Sequence, residues 1–136
     1  MSKSQIRHTF VREERLKSRK LIARLFERAG RAYLAYPIRV AWSPSEPTPN
    51  AFPAQAAFSV SKRAFRKATQ RNRIKRLMRE AWRIHKHTLY ERLAGQPCSA
   101  ALMLIYVAKE ELSWNEIEAG VKKLIQKFPV ETLCQP

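Results

Sequence analysis

From Ala56 the chain reads Ala-Ala-Phe-Ser-Val-Ser-Lys-Arg-Ala-Phe-Arg-Lys-Ala-Thr-Gln-Arg-Asn-Arg-Ile-Lys-Arg-Leu-Met-Arg, ending at Glu80. Ala56, Phe58 and Val60 alternate with Ala57, Ser59 and Ser61, which is the period of a strand. Thr69 or Gln70 then opens a helix that runs to about Leu93, with Gly95 and Pro97 ending it. Ala101 to Ala108 is an apolar run of strand length. A strand, a crossover helix and a strand make a βαβ unit. Its two strands should be parallel neighbours, and the default crossover is right-handed.

Working outward, a first helix is expected from Arg19 to Ala29. Ser18 serves as its N-cap, Leu21, Ile22, Leu25, Phe26 and Ala29 fall at helical spacing, and Gly30 stops it. Ile38, Val40 and Trp42 alternate as a strand, with a further short strand near Tyr33. Ser43 to Pro53 contains Pro44, Pro47, Pro49 and Pro53 and reads as a loop, so its flanking strands suggest an antiparallel pair. Ser113 and Glu116 form a capping box before a last helix with Ile117, Val121, Leu124, Ile125 and Phe128 on one face. The organisation expected is an extended basic arm at 1–14, a single domain at 15–130 and a C-terminal tail at 131–136.

The 136 residues suit one domain with its own core. Lys and Arg number 27 against 11 acids, for a net charge of +16 and a pI near 10.7. Such an excess repels itself in a compact fold and calls for an anionic partner. A phosphate backbone fits, because cations that bind it release condensed counterions. An anionic membrane surface is the competitor, but no apolar run reaches the roughly 18 residues of a spanning helix. Cys98 and Cys134 have no metal-ligand spacing and suit a reduced, cytoplasmic protein, although the sequence alone leaves a bridge open.

Every acid is Glu, and the chain has no Asp. Two-metal nucleases hold their ions with clustered carboxylates. Here the adjacent pairs Glu13-Glu14 and Glu110-Glu111 read as solvated charge at helix starts. His8, His85 and His87 read as surface residues, the last two pointing apart on a helix. The chain looks poorly equipped to cut phosphodiesters by itself.

The basic block is more specific. Nine residues between Lys62 and Arg79 are Lys or Arg, and none is acidic. On a helical wheel Ile74, Leu77, Met78, Ala81, Ile84 and Thr88 gather on one side. Asn72, Lys75, Arg76, Arg79, Arg83 and Lys86 gather on the other, flanked by Arg71 and Arg73. A solvated helix normally mixes signs for i,i+4 pairing. This stripe has no acid before Glu80, so its charges repel unless an anion lies across them. The free N–H groups of the helix start add to that attraction. Neither a helix-turn-helix nor a zinc spacing is present, so RNA is favoured over DNA.

The string Arg71-Asn-Arg-Ile-Lys-Arg-Leu-Met-Arg-Glu80, preceded by Phe58-Ser-Val-Ser-Lys62, resembles the signature of the protein subunit of bacterial ribonuclease P. Arg15-Leu16, Phe26, the apolar strand from Leu102 and Leu112-Ser113 follow the same family order, over about residues 10 to 128. The resemblance implies an α+β two-layer sandwich of a small mixed sheet with three helices, and a left-handed βαβ crossover. It implies that an RNA subunit with bound Mg²⁺ performs the hydrolysis and that the protein holds no metal and no catalytic residue. The protein's partners would be that catalytic RNA and precursor tRNA, with neither DNA nor a membrane. Arg71, Asn72, Arg73, Lys75, Arg76 and Arg79 would face the catalytic RNA. A cleft between the first helix and the sheet would hold the single-stranded 5′ leader through Ile22, Phe26, Tyr36, Trp42, Phe58, Ser61, Lys62 and Arg63, using stacking surfaces plus cations. Two departures from the family pattern stand out: Ile22 where Phe is common, and Arg63-Ala-Phe where small residues are usual.

Overall fold

The computed structural model describes residues 10, 14–17, 19–26, 31–45 and 52–134, without the side chains of Leu21, Arg24 and Phe26. The expected cap at Ser18, the helix end at Ala29 and Gly30, His8, Glu13 and the loop residues 46–51 lie outside the described residues. In chain order the elements are α1 (Arg19–Phe26), β1 (Arg31–Ala35), β2 (Ile38–Ser45), β3 (Ala54–Val60), α2 (Ala68–Leu93), β4 (Ser99–Tyr106) and α3 (Trp114–Lys127). A single 3-10 turn at Val130–Thr132 follows.

The sheet order is β1-β2-β4-β3. β3 and β4 are parallel neighbours, as the βαβ reading requires. β2 and β3 do not pair, contrary to expectation, because β4 lies between them and runs antiparallel to β2. Burial explains the choice. Ser99 to Leu104 is buried without interruption, and a strand apolar on both faces belongs in the centre of a sheet covered on both sides. β2 also runs on through Pro44, where a loop was expected. Beyond Trp42 it has left β1 behind, and proline is tolerated under such edge conditions.

One face of the sheet presents Ile38, Val40, Trp42, Leu102, Leu104 and Tyr106 to the core built with α2 and α3. The other presents Ala41, Ala101 and Met103 to Leu16 and Leu25. The expected two-layer sandwich therefore holds for α2 and α3 on the sheet, while α1 adds a partial layer opposite. All five apolar positions expected on the last helix face, Ile117 to Phe128, are buried. Each contributes roughly 1.5–3 kcal/mol of transfer free energy before entropy is counted. The Ser113 hydroxyl caps α3 by accepting the Glu116 N–H at 3.3 Å, and it donates to the Glu116 carboxylate at 3.2 Å.

α3 passes close to the β1–β2 turn at Gly120. A Cβ added there would lie 2.7 Å from Cδ of Pro37 and 3.2 Å from the Tyr36 carbonyl oxygen. Gly120→Ala is expected to force this turn apart at a cost of about 1–3 kcal/mol, measurable as a lower urea midpoint. An unchanged midpoint would show that the turn yields freely.

The buried side of α2 comprises Ile74, Met78, Ala81, Trp82, Lys86, Leu89 and Leu93. It is rotated from the expected stripe: Thr88 is exposed, while Leu77 and Ile84 are half-buried. The bulky Trp82, Leu89 and Leu93 are all buried on this side. This rotation carries Lys86, expected on the basic side, into the interior. Glu14, expected to be solvated charge in the arm, is 1% exposed and ion-paired with Lys86. The Tyr90 hydroxyl donates to the same carboxylate at 2.5 Å. Burial pushes the Lys86 ammonium down from its ordinary range, and Glu14 pulls it back up.

Residues 131–134, expected in a C-terminal tail, pack against the domain. Leu133 is fully buried. Cys134 is joined to Cys98 in a disulfide, with their Cα atoms 5.9 Å apart, the bridge that the sequence had left open beside the reading as reduced thiols. Two residues 36 apart in sequence meet because the 3-10 turn returns the chain to the start of β4.

Candidate nucleic-acid interface

α2 begins without a side-chain cap, since Lys67 makes no capping hydrogen bond. The N–H groups of Gln70 and Arg71 donate to the Lys67 carbonyl at 3.1 and 3.3 Å, which leaves those of Ala68 and Thr69 at the helix start to meet an anion. Asn72, Arg73, Arg76 and Arg79 are exposed along the first three turns, and Lys75 is half-buried beside them. Thr69, Asn72, Arg73 and Arg76 line an open recess of about 390 Å³. Arg71 differs from its neighbours. Its Nη1 donates to the Phe65 carbonyl at 2.7 Å and the Arg66 carbonyl at 2.9 Å. It secures the loop that feeds the helix, and only its remaining donors can serve a phosphate. The stripe is not wholly without acid, because Glu111 reaches Arg73 from a distant loop at 2.8 Å. Nothing in the sequence placed this second member of the Glu110-Glu111 pair there.

The leader residues expected in one cleft divide between the two sheet faces. Ile22 is half-buried in the small cluster under α1. Trp42 lies on the opposite face, 3% exposed, with its ring 5.3 Å from Phe128 and under the Arg31 guanidinium. It is a core residue with no free stacking surface. Phe58 is half-buried on that same face, edge-on to Phe10 at 5.8 Å. The side chain of Phe26 is outside the described residues. Ser61 is exposed, and its Oγ accepts the N–H groups of Arg63 at 3.1 Å and Ala64 at 3.3 Å, which shapes the loop carrying the exposed Lys62 and Arg63.

What the sheet does offer is a row across its α1 face. Leu34 pairs with Arg39, Arg39 with Ile105, and Ile105 with Ser59, so these side chains stand abreast. At the same end lie Tyr36 and Val107, beside which β3 runs into Ser61. Leu34 is 56% exposed, Tyr36 59% and Val107 39%. A mixed apolar, aromatic and cationic strip thus runs toward the start of α2. Of the residues expected at the leader, Tyr36, Ser61, Lys62 and Arg63 lie at this end of the sheet, where Leu34, Arg39, Ile105 and Val107 were not expected. The strand alternation alone could have placed Arg39 opposite the Ile38, Val40 and Trp42 face. Among the described residues, no three His, Cys or Glu side chains gather as metal ligands would, and no helix is long and apolar enough to cross a membrane.

The Ribonuclease P family model matches residues 10–129, nearly the whole described fold. The chain belongs to the ribonuclease P protein family. A relative, the ribonuclease P protein component of Porphyromonas gingivalis, is 34% identical over 94 residues, covering 69% of this chain and 68% of the relative. The fold resembles the RNase P protein of Thermotoga maritima, with a TM-score of 0.64 and 20% identity over 85% of this chain and 97% of that one. It also resembles the RNase P protein of Staphylococcus aureus, with a TM-score of 0.64 and 19% identity over 86% of this chain and 96% of the other. Within this RNase P family chain, the motif Arg71-Asn72-Arg73 occupies the uncapped start of α2, and the exposed sheet row lies at the same end of the sheet.

Proposed function

We propose that this chain is the protein component of a ribonuclease P holoenzyme acting in the cytoplasm. It binds the catalytic RNA through α2 and the 5′ leader of precursor tRNA across the sheet. The RNA subunit, with its own Mg²⁺, carries out the endonucleolytic cut that leaves the mature 5′ end. The observation that carries this reading is the exposed set Asn72, Arg73, Arg76 and Arg79 at the helix start of a family member. Guanidinium forks suit bidentate phosphate contacts, and Asn72 can both donate and accept. In the same reading the β3–α2–β4 crossover is left-handed, as the family resemblance implies.

The leader surface follows the exposed row rather than the buried aromatics. Leu34, Tyr36 and Val107 give apolar and stacking area, while Arg39, Lys62 and Arg63 follow the backbone charge. Tyr36→Ala is expected to weaken leader-bearing precursor tRNA by about 1–3 kcal/mol while leaving mature tRNA unchanged. Equal losses for both, in paired binding titrations, would place Tyr36 off the leader path. Sequencing the RNA that co-purifies with the protein tests the broader assignment. One small structured RNA is expected; ribosomal RNA in its place would mark a ribosomal component.

A further inference from the structure

Glu111 rests on two donors at the opening of α2. Its Oε1 accepts from Arg73 Nη1 at 2.8 Å, and its Oε2 accepts from Gln70 Nε2 at 3.3 Å. Gln70 and Arg73 are one turn apart at the opening of α2, so a two-oxygen anion is gripped by two successive turns of the helix. The loop carrying Glu111 is held on both sides by one buried group. The Tyr106 hydroxyl, on a residue 2% exposed, donates to the Glu110 carbonyl at 2.6 Å and accepts the Leu112 N–H at 3.0 Å. The Tyr106 ring in turn packs against Phe65, in the loop that leads into α2. Ser113 caps α3 immediately afterwards. The carboxylate is therefore presented by a fixed frame, while its partner Arg73 remains 63% exposed in its side chain.

We infer that Glu111 is a built-in placeholder for an RNA phosphate, a carboxylate that occupies Arg73 and Gln70 in the free protein and that bound RNA must displace. The inference rests on the reading of Arg73 as an RNA contact. In the free protein the carboxylate relieves repulsion within the cationic stripe and holds the Arg73 guanidinium in its binding direction. When a strand arrives, the same carboxylate competes for Arg73 and lies beside a phosphate of like charge. It thereby sets a threshold that strands making few other contacts fail to cross.

The test is binding of the catalytic RNA to the full chain across a salt series, with wild type, Glu111→Gln, Arg73→Ala and the double variant. Glu131→Gln, an exposed acid in the C-terminal turn, controls for net charge. Glu111→Gln is expected to tighten binding about fivefold, the upper range of a surface ion pair, and to steepen the salt dependence by about 0.7–0.9. The gain should vanish in the Arg73→Ala background, and Glu131→Gln should not reproduce it. A gain that persists without Arg73, a gain matched by Glu131→Gln, weaker binding or no change would each overturn the inference. The underlying reading fails separately, if Arg73→Ala alone leaves binding and its salt slope as in wild type. Glu111 pairs at the surface, so its substitution should cost the fold no more than about 1 kcal/mol, the upper worth of an exposed ion pair.

Discussion

Glu14→Ala is expected to destabilise the fold by roughly 3–5 kcal/mol, the usual cost of breaking a buried ion pair from one side. Lys86 is 1% exposed and ion-paired with the Glu14 carboxylate, which also accepts from Tyr90. Removing that carboxylate leaves the ammonium in a site whose other neighbours include the rings of Phe10 and Tyr90, at 5.7 Å each. The aromatic faces attract a cation, but by much less than the lost pair. The effect should reach α1, because Leu16 N–H donates to the Ala56 carbonyl at 3.0 Å and fastens the same segment to the edge of β3. Replacing both charges, as Glu14→Leu with Lys86→Met, should recover most of the loss. Urea unfolding of the single and double variants checks this. A loss under about 1 kcal/mol for Glu14→Ala would show that the pair is solvated and that the N-terminal segment is not anchored by it.

Arg76→Ala is expected to weaken binding of the catalytic RNA by about 1.5–3 kcal/mol, the range of a charge-assisted hydrogen bond. It should also reduce the salt slope by about one. Arg76 is exposed and lines the recess with Asn72 and Arg73, so its loss should leave the fold unaltered. Arg71→Ala should behave differently. Arg71 ties two loop carbonyls, so its removal should lower thermal stability as well as affinity. Titrations of both variants at several salt concentrations, beside their melting curves, separate the two behaviours. An unchanged salt slope for Arg76→Ala would remove it from the phosphate path.

Local features of the fold were legible in the sequence, as was the parallel pairing of β3 with β4 through their crossover helix, but the place of β2 and the partners of buried or bridged charges were not. The alternation at Ile38, Val40 and Trp42, the Ser113 cap and the apolar face of α3 are each set by neighbours within a few residues, and all appear in the structure. Gly95, with a φ of +86°, follows the end of α2 at Leu93, where the glycine and Pro97 marked it. The strand order was hidden because the pairing of β2 with β4 spans a large part of the chain, and the apolar run of β4 fits more than one slot. Lys86 and Glu14 are 72 residues apart, and Arg73 and Glu111 are 38 apart. No periodicity marks such partners, and each of these charges looked solvated within its own element. Trp42 was misassigned for a related reason. An aromatic on an alternating strand does not reveal which sheet face will be covered. The exposed basic side of α2 was readable from Asn72 to Arg79, where the cations have no acid among them in sequence, but not at Lys86, which the docking of the helix buries.

The most direct test of the account is cleavage of a precursor tRNA by the cognate catalytic RNA at low Mg²⁺, with and without this protein. The account predicts faster leader removal when both are present and intact precursor when the protein is alone. Equal cleavage with and without the protein, or hydrolysis by RNA-free protein, would contradict it.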